Sequence, residues 1–425
     1  MTNTMPDDFL PSDPAEMKTE FLRYRANLYD PDTRLPSLPA VMDRIRKMLD
    51  DQRSVQVLVI RIEQEQSLES VVGWERYDVL LKTVAEYLRS SLVTSRGVGS
   101  ILCQDHVRGD RFLIFLPDRR QAARLLELVS APIAVRGEKP DESFALGLRV
   151  GQGAIRVRPS QRVERCIFSG LEEAETDFSR RGRELDLERL RELQKVLRLR
   201  EIGILFQPIF RVPQRTVVGY EALCRGPEGS YLEPAERILG FAERSGMLGE
   251  LEELCVEKAL SNGHRLPLGS TVFLNLSFRG LEYLEGEREG LASTVRQAGW
   301  SPREVVLEIT EHTYAEDPER IMQRVLDLRR HGFRVAIDDM GTGFSSLNTL
   351  AELKPDYIKL DHMLVRGVAS EPIKRNLVSA ITGFARTSQS LVIAEGVERQ
   401  EEASALQDLG VFLLQGYLFG RPSPV

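Results

Sequence analysis

The C-terminal half of this chain alternates short apolar segments with amphipathic ones, and no other feature restricts its fold as strongly. From Gly203 onward, segments of strand length that are rich in branched apolar residues are mostly separated by stretches with helical spacing. The predicted strands cover residues 204–206, 217–220, 271–276, 305–309, 334–337, 357–360, 391–394 and 412–415. Eight strands that alternate with helices over about 225 residues predict an α/β fold with a barrel of the (β/α)8 type.

The residues before this pattern predict a separate α+β domain. Strand patterns occur at 55–62, 101–103, 112–116 and 145–155, and helical patterns at 77–92 and 171–178. Residues 1–27 contain several Asp and Pro and few large apolar residues, so we expect a flexible N-terminal segment. We place the first domain at 28–183, a helical linker at 184–200 and the barrel at 201–425. The linker, with regular Leu amid Glu and Arg, is either a solvated helix or a dimerising one.

Composition and charge exclude several classes of protein. With 42% hydrophobic and 28% charged residues among 425, the chain is balanced like a globular protein, not a collagen-like or disordered one. Its net charge of −7, without a basic half, argues against binding to nucleic-acid polymers. No apolar run approaches the roughly 20 residues that span a bilayer, and the N-terminus lacks a signal-peptide pattern. The four cysteines are not spaced like metal ligands. We therefore expect a soluble cytoplasmic protein without membrane attachment.

Polar side chains stand at the ends of nearly all the predicted barrel strands. In such barrels the C-terminal ends of the strands form the active site. The residues at these positions are Glu221, Asn275, Glu308, Asp338, Asp339, Lys359, Glu395 and Gln415. Five carboxylates at one mouth would repel one another unless cations neutralise them. Oxygen ligands alone favour Mg²⁺ or Mn²⁺ over zinc.

Two of these positions predict the chemistry. The adjacent pair Asp338 and Asp339 can bridge two cations, the arrangement used for in-line attack on phosphorus. Lys359 beside such a site could orient the attacking water, help to deprotonate it, or balance charge. The pattern therefore predicts metal-dependent phosphoester chemistry, although barrels support many reactions.

Several motifs occur in order along the barrel region. They are Gln207-Pro208-Ile209, Glu221-Ala222-Leu223 followed by Arg225, Asn275-Leu276-Ser277, Glu308-Ile309-Thr310-Glu311, the string D-D-M-G-T-G-F-S-S-L at 338–347, Ile358-Lys359-Leu360-Asp361, Ala394-Glu395-Gly396-Val397-Glu398 and the segment 415–422. With these motifs, residues 185–425 closely resemble the EAL domain, a cyclic di-GMP phosphodiesterase. Departures from the family pattern, at Met340, Phe344 and Leu360, affect none of the ligand positions.

The resemblance implies a modified TIM-type barrel that hydrolyses one phosphodiester of cyclic di-GMP to linear pGpG with two Mg²⁺ or Mn²⁺ ions. By matched position, the ligands of the first ion would be Glu221, Asn275, Glu308 and Asp338. Asp338 and Asp339 would bind the second, with Glu395 near its water shell. The other implied catalytic residues are Lys359 and Gln415, beside the nucleophilic water, and Glu311, which would fix the loop at 338–347. The implied substrate contacts are Gln207, Leu223 and Arg225.

The N-terminal domain resembles a degenerate GGDEF domain, the diguanylate cyclase family. Arg108-Gly109-Asp110-Arg111-Phe112 stands at the signature motif, so Arg111 replaces an acid, and Arg61 stands where a metal-binding aspartate belongs. The resemblance therefore implies a domain without cyclase activity, either a regulatory or dimerising scaffold or, through Asp78, a GTP sensor. We expect a homodimer, with GTP or a protein as the further partner. The rival to the enzyme is a non-hydrolysing cyclic di-GMP receptor or interaction module, and the complete ligand set favours the enzyme.

Overall fold

The computed structural model describes residues 28–52, 54–63, 74–94, 99–131, 133–136, 143–287, 290–310, 318–340 and 347–425. The segment predicted to be flexible, 1–27, lies outside these residues. The chain divides into two compact units, Met1–Glu188 and Arg189–Val425, called here the N-terminal and C-terminal units. Among the described helices, none combines the length and apolar character needed to cross a bilayer.

The N-terminal unit is built on a four-stranded antiparallel sheet. Its strands are β1 (Ser54–Ile62), β2 (Ile101–Gln104), β3 (Phe112–Leu116) and β6 (Leu148–Arg156). Their order in the sheet is β2-β3-β1-β6. A separate ribbon pairs β4 (Ile133–Arg136) with β5 (Ser143–Leu146). The helices of this unit are Leu38–Asp51, Trp74–Thr94, Arg119–Val129 and the first part of Val163–Leu199.

Strand β1 reads as an unbroken apolar run because both of its faces are buried. Val57 and Val59 pack in one apolar cluster, whereas Leu58 and Ile60 pack in another on the opposite face. Successive side chains of a strand point to opposite faces, so each cluster takes every second residue. The unit is therefore α+β, as predicted, with a core on each side of its sheet.

Two predicted elements of this unit differ from those observed. The strand region predicted at 145–155 contains two strands, β5 and β6, which are separated at Gly147. The helices predicted at 171–178 and 185–199 are one helix, Val163–Leu199. Ion pairs from Arg180 to Asp177 and Glu184, three and four residues away, span the stretch between the two predicted pieces. These pairs favour continuation of the helix.

The C-terminal unit is a closed eight-stranded barrel, which confirms the predicted barrel. In order around the barrel, its strands are β7 (Gly203–Arg211), β8 (Thr216–Arg225), β9 (Thr271–Asn275), β10 (Val305–Thr310), β11 (Arg334–Met340), β12 (Tyr357–Leu360), β13 (Leu391–Ala394) and β14 (Leu413–Leu414). The helices of this unit are Ala235–Arg244, Leu248–Gly263, Phe278–Glu287, Leu291–Gln297, Pro318–His331, Leu347–Leu353, His362–Val365, Pro372–Ser388 and Gln400–Asp408.

The barrel departs from a regular (β/α)8 arrangement at its first strand. β7 runs antiparallel to both of its neighbours, β8 and β14, whereas the other neighbouring pairs are parallel. Only residues 212–215 connect β7 to β8, and a parallel pair needs a crossover of about a dozen residues or more. The short connection therefore forces a hairpin, and the hairpin places Gln207 opposite Glu221.

The barrel interior is closed below the mouth by an apolar layer. This layer consists of Ile209, Phe273, Val306, Ala336, Tyr357, Ile393 and Leu413. At the N-terminal ends of the strands, the guanidinium of Arg334 donates to the Tyr357 hydroxyl (2.8 Å) and to Thr271 Oγ1 (3.0 Å). The apolar layer therefore separates these polar groups from those at the C-terminal mouth.

Candidate active site

The structure brings the predicted strand-end residues together at the mouth of the barrel. Glu221, Glu308, Asp338, Asp339 and Lys359 lie on β8, β10, β11 and β12, Asn275 ends β9, and Glu395 and Gln415 directly follow β13 and β14. The parallel register pairs Asn275 with Glu308. Because neighbouring parallel strands end at the same edge of a sheet, their terminal side chains share one site.

Lys359 occupies the centre of this group and is fully buried. Its Nζ lies 2.6 Å from Glu395, 2.8 Å from Glu308, 3.2 Å from Asp338 and 3.5 Å from Glu221. Burial acts against the charged form, but the four carboxylates outweigh it and raise the pKa of Lys359 well above its ordinary value. The side chain is therefore an ammonium at neutral pH.

One ammonium does not neutralise this many acids. Burial, with the neighbouring acids, raises the pKa of Glu308 and of Glu395 well above the ordinary value, although Lys359 opposes the shift. For Glu221, burial also acts to raise the pKa, but Lys359 and hydrogen bonds from the amides of Asn275 and Gln415 reverse the shift and lower it. The site therefore stabilises the charged form of Glu221, but it lacks the positive charge that would stabilise the charged forms of Glu308 and Glu395.

Asp339 adopts an unusual backbone conformation. Its φ of 58° lies in the left-handed region, which aspartate tolerates better than most residues other than glycine. Its N–H donates to the Asp338 carboxylate (2.9 Å). Burial, and then the charge of Asp338, raises the pKa of the Asp339 carboxyl to about 6. The strained turn keeps two acidic side chains together against their repulsion.

The donor set at the mouth fits a hard divalent cation. Carboxylate oxygens of Asp338, Asp339 and Glu395 lie within 4.8 Å of one another, a spacing at which they could hold a metal ion. Both side-chain oxygens of Glu308 are buried without a well-formed hydrogen bond from any described residue. The Lys359 ammonium lies 2.8 Å from Oε1, whereas no described residue donates to Oε2. A buried carboxylate oxygen without a donor is costly, and an ion would satisfy it. A set made only of oxygen donors suits Mg²⁺ or Mn²⁺.

Two amide side chains fix the orientation of Glu221. Asn275 Nδ2 donates to Glu221 Oε1 (2.9 Å) and Gln415 Nε2 donates to Glu221 Oε2 (2.6 Å). Gln415 Nε2 also donates to Gln207 Oε1 (3.2 Å), and Gln207 Nε2 donates to the Gly420 carbonyl (3.1 Å). The amides thus link the hairpin β7–β8 to the last turn of the chain.

The predicted substrate residues flank the acids on the hairpin side. Glu221, Leu223 and Arg225 alternate along β8 and share one face of it. Leu223 and Arg225 are half-buried, and Arg225 donates to the Cys224 carbonyl (2.6 Å). Gln207 lies opposite Glu221 on β7. Glu311 and residues 341–346 of the glycine-containing loop lie outside the described residues.

Arg61 and Arg111, the two arginines that the GGDEF resemblance singled out in the N-terminal unit, meet around one glutamate. Arg61 donates to Glu175 Oε1 (2.9 Å), and Arg111 lies 3.1 Å from Glu175 Oε2 and donates to Asp105 (3.0 Å). Two cations thus face two acids in a balanced cluster. Sequence reasoning found the arginines but not Glu175, which comes from a helix more than sixty residues further on.

The turn before β3 is anchored by a segment that the sequence analysis did not single out. Arg108 has a φ of 59°, and its N–H donates to Asp30 Oδ2 (2.8 Å). The other oxygen of Asp30 accepts from the Thr33 N–H (2.7 Å), and Gln104 donates to the Gly109 carbonyl (2.7 Å). Asp30 is followed by Pro31, and Asp-Pro is a recognised turn signal, so this anchor could have been found.

Sequence reasoning also missed a buried acid in the C-terminal unit. Glu252 is only 7% exposed and accepts from the Ser277 N–H and hydroxyl. The available signal was its position, because Glu252 follows Leu248 by four residues and so falls on the apolar face of the helix Leu248–Gly263.

The comparisons with known proteins identify the family of this fold. The EAL domain model matches residues 190–422. The bifunctional diguanylate cyclase/cyclic di-GMP phosphodiesterase MucR of Pseudomonas aeruginosa is 26% identical over 422 residues, which cover 93% of this chain and 60% of that protein. The cyclic di-GMP phosphodiesterase PdeB of Shewanella oneidensis is 27% identical over 434 residues, which cover 96% of this chain and 50% of that protein. The chain thus spans about half to three fifths of the length of these curated relatives.

A solved structure supports the same grouping. The PaMucR phosphodiesterase in complex with c-di-GMP is 30% identical, with a TM-score of 0.50, over 56% of this chain and 97% of that one. Because the family model matches more than half of the sequence and covers the whole barrel mouth, the chain belongs to the EAL domain family.

Proposed function

We propose that the C-terminal unit hydrolyses one phosphodiester bond of cyclic di-GMP to give linear pGpG, in a reaction that requires Mg²⁺ or Mn²⁺. The observation that carries the proposal is the cluster of five carboxylates and two amides around Lys359 at the mouth of an EAL barrel. The names of MucR and PdeB as cyclic di-GMP phosphodiesterases, and the c-di-GMP complex of PaMucR, support this substrate.

The acids and Asn275 would bind two divalent cations. The ligands of the first would be Glu221, Asn275, Glu308 and Asp338. Asp338 and Asp339 would bind the second, with Glu395 beside its water shell. When bound, the two ions would polarise the phosphate and lower the pKa of the attacking water. The amide donors to Glu221 keep that carboxylate oriented for this role.

Lys359 would orient the nucleophilic water by donating a hydrogen bond from Nζ. The surrounding acids raise the pKa of Lys359 well above its ordinary value, which favours the ammonium form. Orientation of the water and charge balance therefore fit this environment. Gln415, which donates to Glu221 (2.6 Å), would stand beside the same water.

The substrate would lie along the hairpin side of the mouth. Arg225, with its planar set of donors, suits a phosphate of the dinucleotide, and Leu223 precedes it on the same face of β8. Gln207 would contact the substrate from β7. Glu311 is proposed, from the family resemblance alone, to fix the loop that follows Asp339.

We further propose that the N-terminal unit is a GGDEF-like domain without cyclase activity that regulates the barrel. Arg61 and Arg111 occupy the positions expected to bind metal, and both are paired with Glu175. A balanced cluster of this kind offers no surplus of negative charge to a cation. The same proposal includes a homodimer as the form in which the chain acts. It also includes GTP or a protein as the partner to which the N-terminal unit responds.

A turnover assay tests the activity. The metal-stripped protein is incubated with cyclic di-GMP, first alone and then with Mg²⁺, Mn²⁺ or Ca²⁺, and the products are separated by chromatography. We expect pGpG only with Mg²⁺ or Mn²⁺. Binding of cyclic di-GMP by calorimetry without any product would instead make the chain a receptor.

A further inference from the structure

Glu252 is a buried acid that lies outside the barrel mouth. It belongs to the helix Leu248–Gly263, whose neighbouring residues Leu251 and Leu254 pack in the apolar core of the C-terminal unit. Only 7% of Glu252 is exposed. A carboxylate at this depth is costly unless it is paired or hydrogen-bonded, so its contacts should show why it is there.

Both oxygens of Glu252 bind the same residue. Oε1 accepts from the Ser277 N–H (3.1 Å) and Oε2 from the Ser277 hydroxyl (2.8 Å). Ser277 Oγ in turn accepts from the Gly280 N–H (3.0 Å), at the start of the helix Phe278–Glu287. Gly280 lies so close to Glu252 that a Cβ there would collide with the carboxylate. The carboxylate therefore fits closely against the turn that follows β9.

This turn begins at a proposed cation ligand. Asn275 ends β9 two residues before Ser277, and its amide donates to Glu221 (2.9 Å). The N–H of Leu276 donates to the Glu308 carbonyl (3.2 Å). The segment 275–277 is thus fixed on one side by the neighbouring strand and on the other by Glu252.

The electrostatic surroundings of Glu252 indicate that this acid does more than stabilise the fold. No lysine or arginine among the described residues forms an ion pair with it, and its hydrogen-bond donors are neutral. Burial raises the pKa of Glu252 to about 7. An apolar residue at this position of the core would carry no such cost, so the acid gives the turn a constraint that packing alone would not.

We propose that Glu252 is a positioning residue that acts through Ser277 to hold the Asn275 amide at the cation-binding cluster. The inference rests on the proposed function because it takes Asn275 as a cation ligand. It adds a residue, on a helix outside the barrel, on which cation affinity depends. Partners that orient metal ligands typically change metal affinity by roughly tenfold or more.

The test is a set of Mn²⁺ affinities measured by electron paramagnetic resonance on the full chain. Glu252→Gln and Ser277→Ala are each expected to raise the Mn²⁺ dissociation constant roughly tenfold. In an Asn275→Ala background, titrated to millimolar Mn²⁺, the same changes should have no further effect, because the ligand that they position is gone. Glu250→Gln, which removes an exposed acid from the same helix, is the matched control and should leave the affinity unchanged.

Three results would overturn the inference. They are an unchanged affinity in Glu252→Gln, an equal loss with and without Asn275, and the absence of Mn²⁺ binding by the unaltered chain. Thermal unfolding of each variant separates loss of fold from loss of affinity. Failure of the proposed function gives a different result, since a chain that binds Mn²⁺ as predicted but releases no pGpG would refute the hydrolysis and leave the role of Glu252 supported.

Discussion

At the residue scale, the role of Lys359 follows from its four acidic neighbours. Because they hold it as an ammonium, it can stabilise developing negative charge and orient water, and it lies in the same space as the proposed cations. Its loss should therefore slow the reaction without weakening metal binding.

Lys359→Ala is expected to lower kcat on the order of 100-fold or more, the usual effect of losing one positioned donor. The affinity for Mn²⁺ should stay the same or increase, because a positive charge leaves the cluster. Steady-state kinetics and Mn²⁺ titration measure the two quantities. Lys195→Ala, at a lysine whose side chain is 60% exposed, serves as the control. A variant that loses metal affinity and keeps kcat would contradict this role.

Glu252 also predicts a pH dependence of stability. Its pKa is about 7 in the folded protein against an ordinary value of 4.5, so between these values the folded state binds more protons than the unfolded one. Its contribution to the free energy of unfolding therefore falls as pH rises from 4.5 to 7, by about 3 kcal/mol in total.

Glu252→Gln should remove this dependence. The free energy of unfolding of the variant minus that of the unaltered chain is expected to increase from pH 5 to pH 8. Denaturant unfolding at several pH values measures the difference. Parallel pH curves for the two proteins would show that Glu252 does not titrate in this range.

The positions of the mouth residues could be predicted where one strand carries the signal. Each acid at the mouth directly ends or follows an apolar run, so Glu221 and Glu395 could be placed without knowledge of packing. Glu252 and Glu175 act through residues far away in sequence, and only the tertiary fold brings each to its partner. Periodicity does not contain that information.

At the element scale, strand positions were predicted better than strand directions. All eight barrel strands lie where apolar runs indicated, but an apolar run does not specify whether its neighbour is parallel. The direction of β7 could have been predicted from its connection to β8, because four residues are too few for the crossover that a parallel pair requires. The length of Val163–Leu199 was missed because charge pairs, and not apolar spacing, span its middle.

The contact between this helix and β6 predicts a sensitive position. A Cβ at Gly153 would collide with the carbonyl of Gly170 and the backbone of Ala174. Gly153→Ala should therefore destabilise the N-terminal unit by about 1–3 kcal/mol, the usual cost of overpacking. Hydrogen exchange of the β6 amides measures the change.

Gly383→Ala is the matched control for that substitution. Gly383 lies in the helix Pro372–Ser388, and a Cβ added there would meet no atom of the described residues within 4 Å. Alanine at this position should therefore stabilise its own helix by up to about 1 kcal/mol. Unchanged protection of β6 in Gly153→Ala would refute the close approach of helix and strand.

At the scale of the whole molecule, two units with different proposed roles share one chain. The barrel mouth brings together the acids and amides that we propose as cation ligands, whereas in the N-terminal unit arginines stand where the proposed GGDEF-like site would need acids. Both proposals begin from residue identity in the sequence. The pairing of Arg61 and Arg111 with Glu175 adds the physical reason why the arginines can stay in a partly buried position.

Restoring one acid in the N-terminal unit should not restore synthesis. Arg111→Glu is expected to make no cyclic di-GMP from GTP with Mg²⁺, because Arg61 still places a positive charge at the metal position and Glu175 still pairs with it. Chromatography of the reaction products measures this. Detectable cyclic di-GMP from the single variant would mean that the unit is closer to a cyclase than proposed.

The most direct test of the central claim compares two variants in the cyclic di-GMP assay with saturating Mg²⁺. Glu221→Ala removes the carboxylate that Lys359, Asn275 and Gln415 hold in place, and Glu401→Ala removes an exposed acid of the same unit. We expect the first variant to release no pGpG and the second to release it at the rate of the unaltered chain. Equal rates in both variants would contradict the assignment of the barrel mouth as the active site.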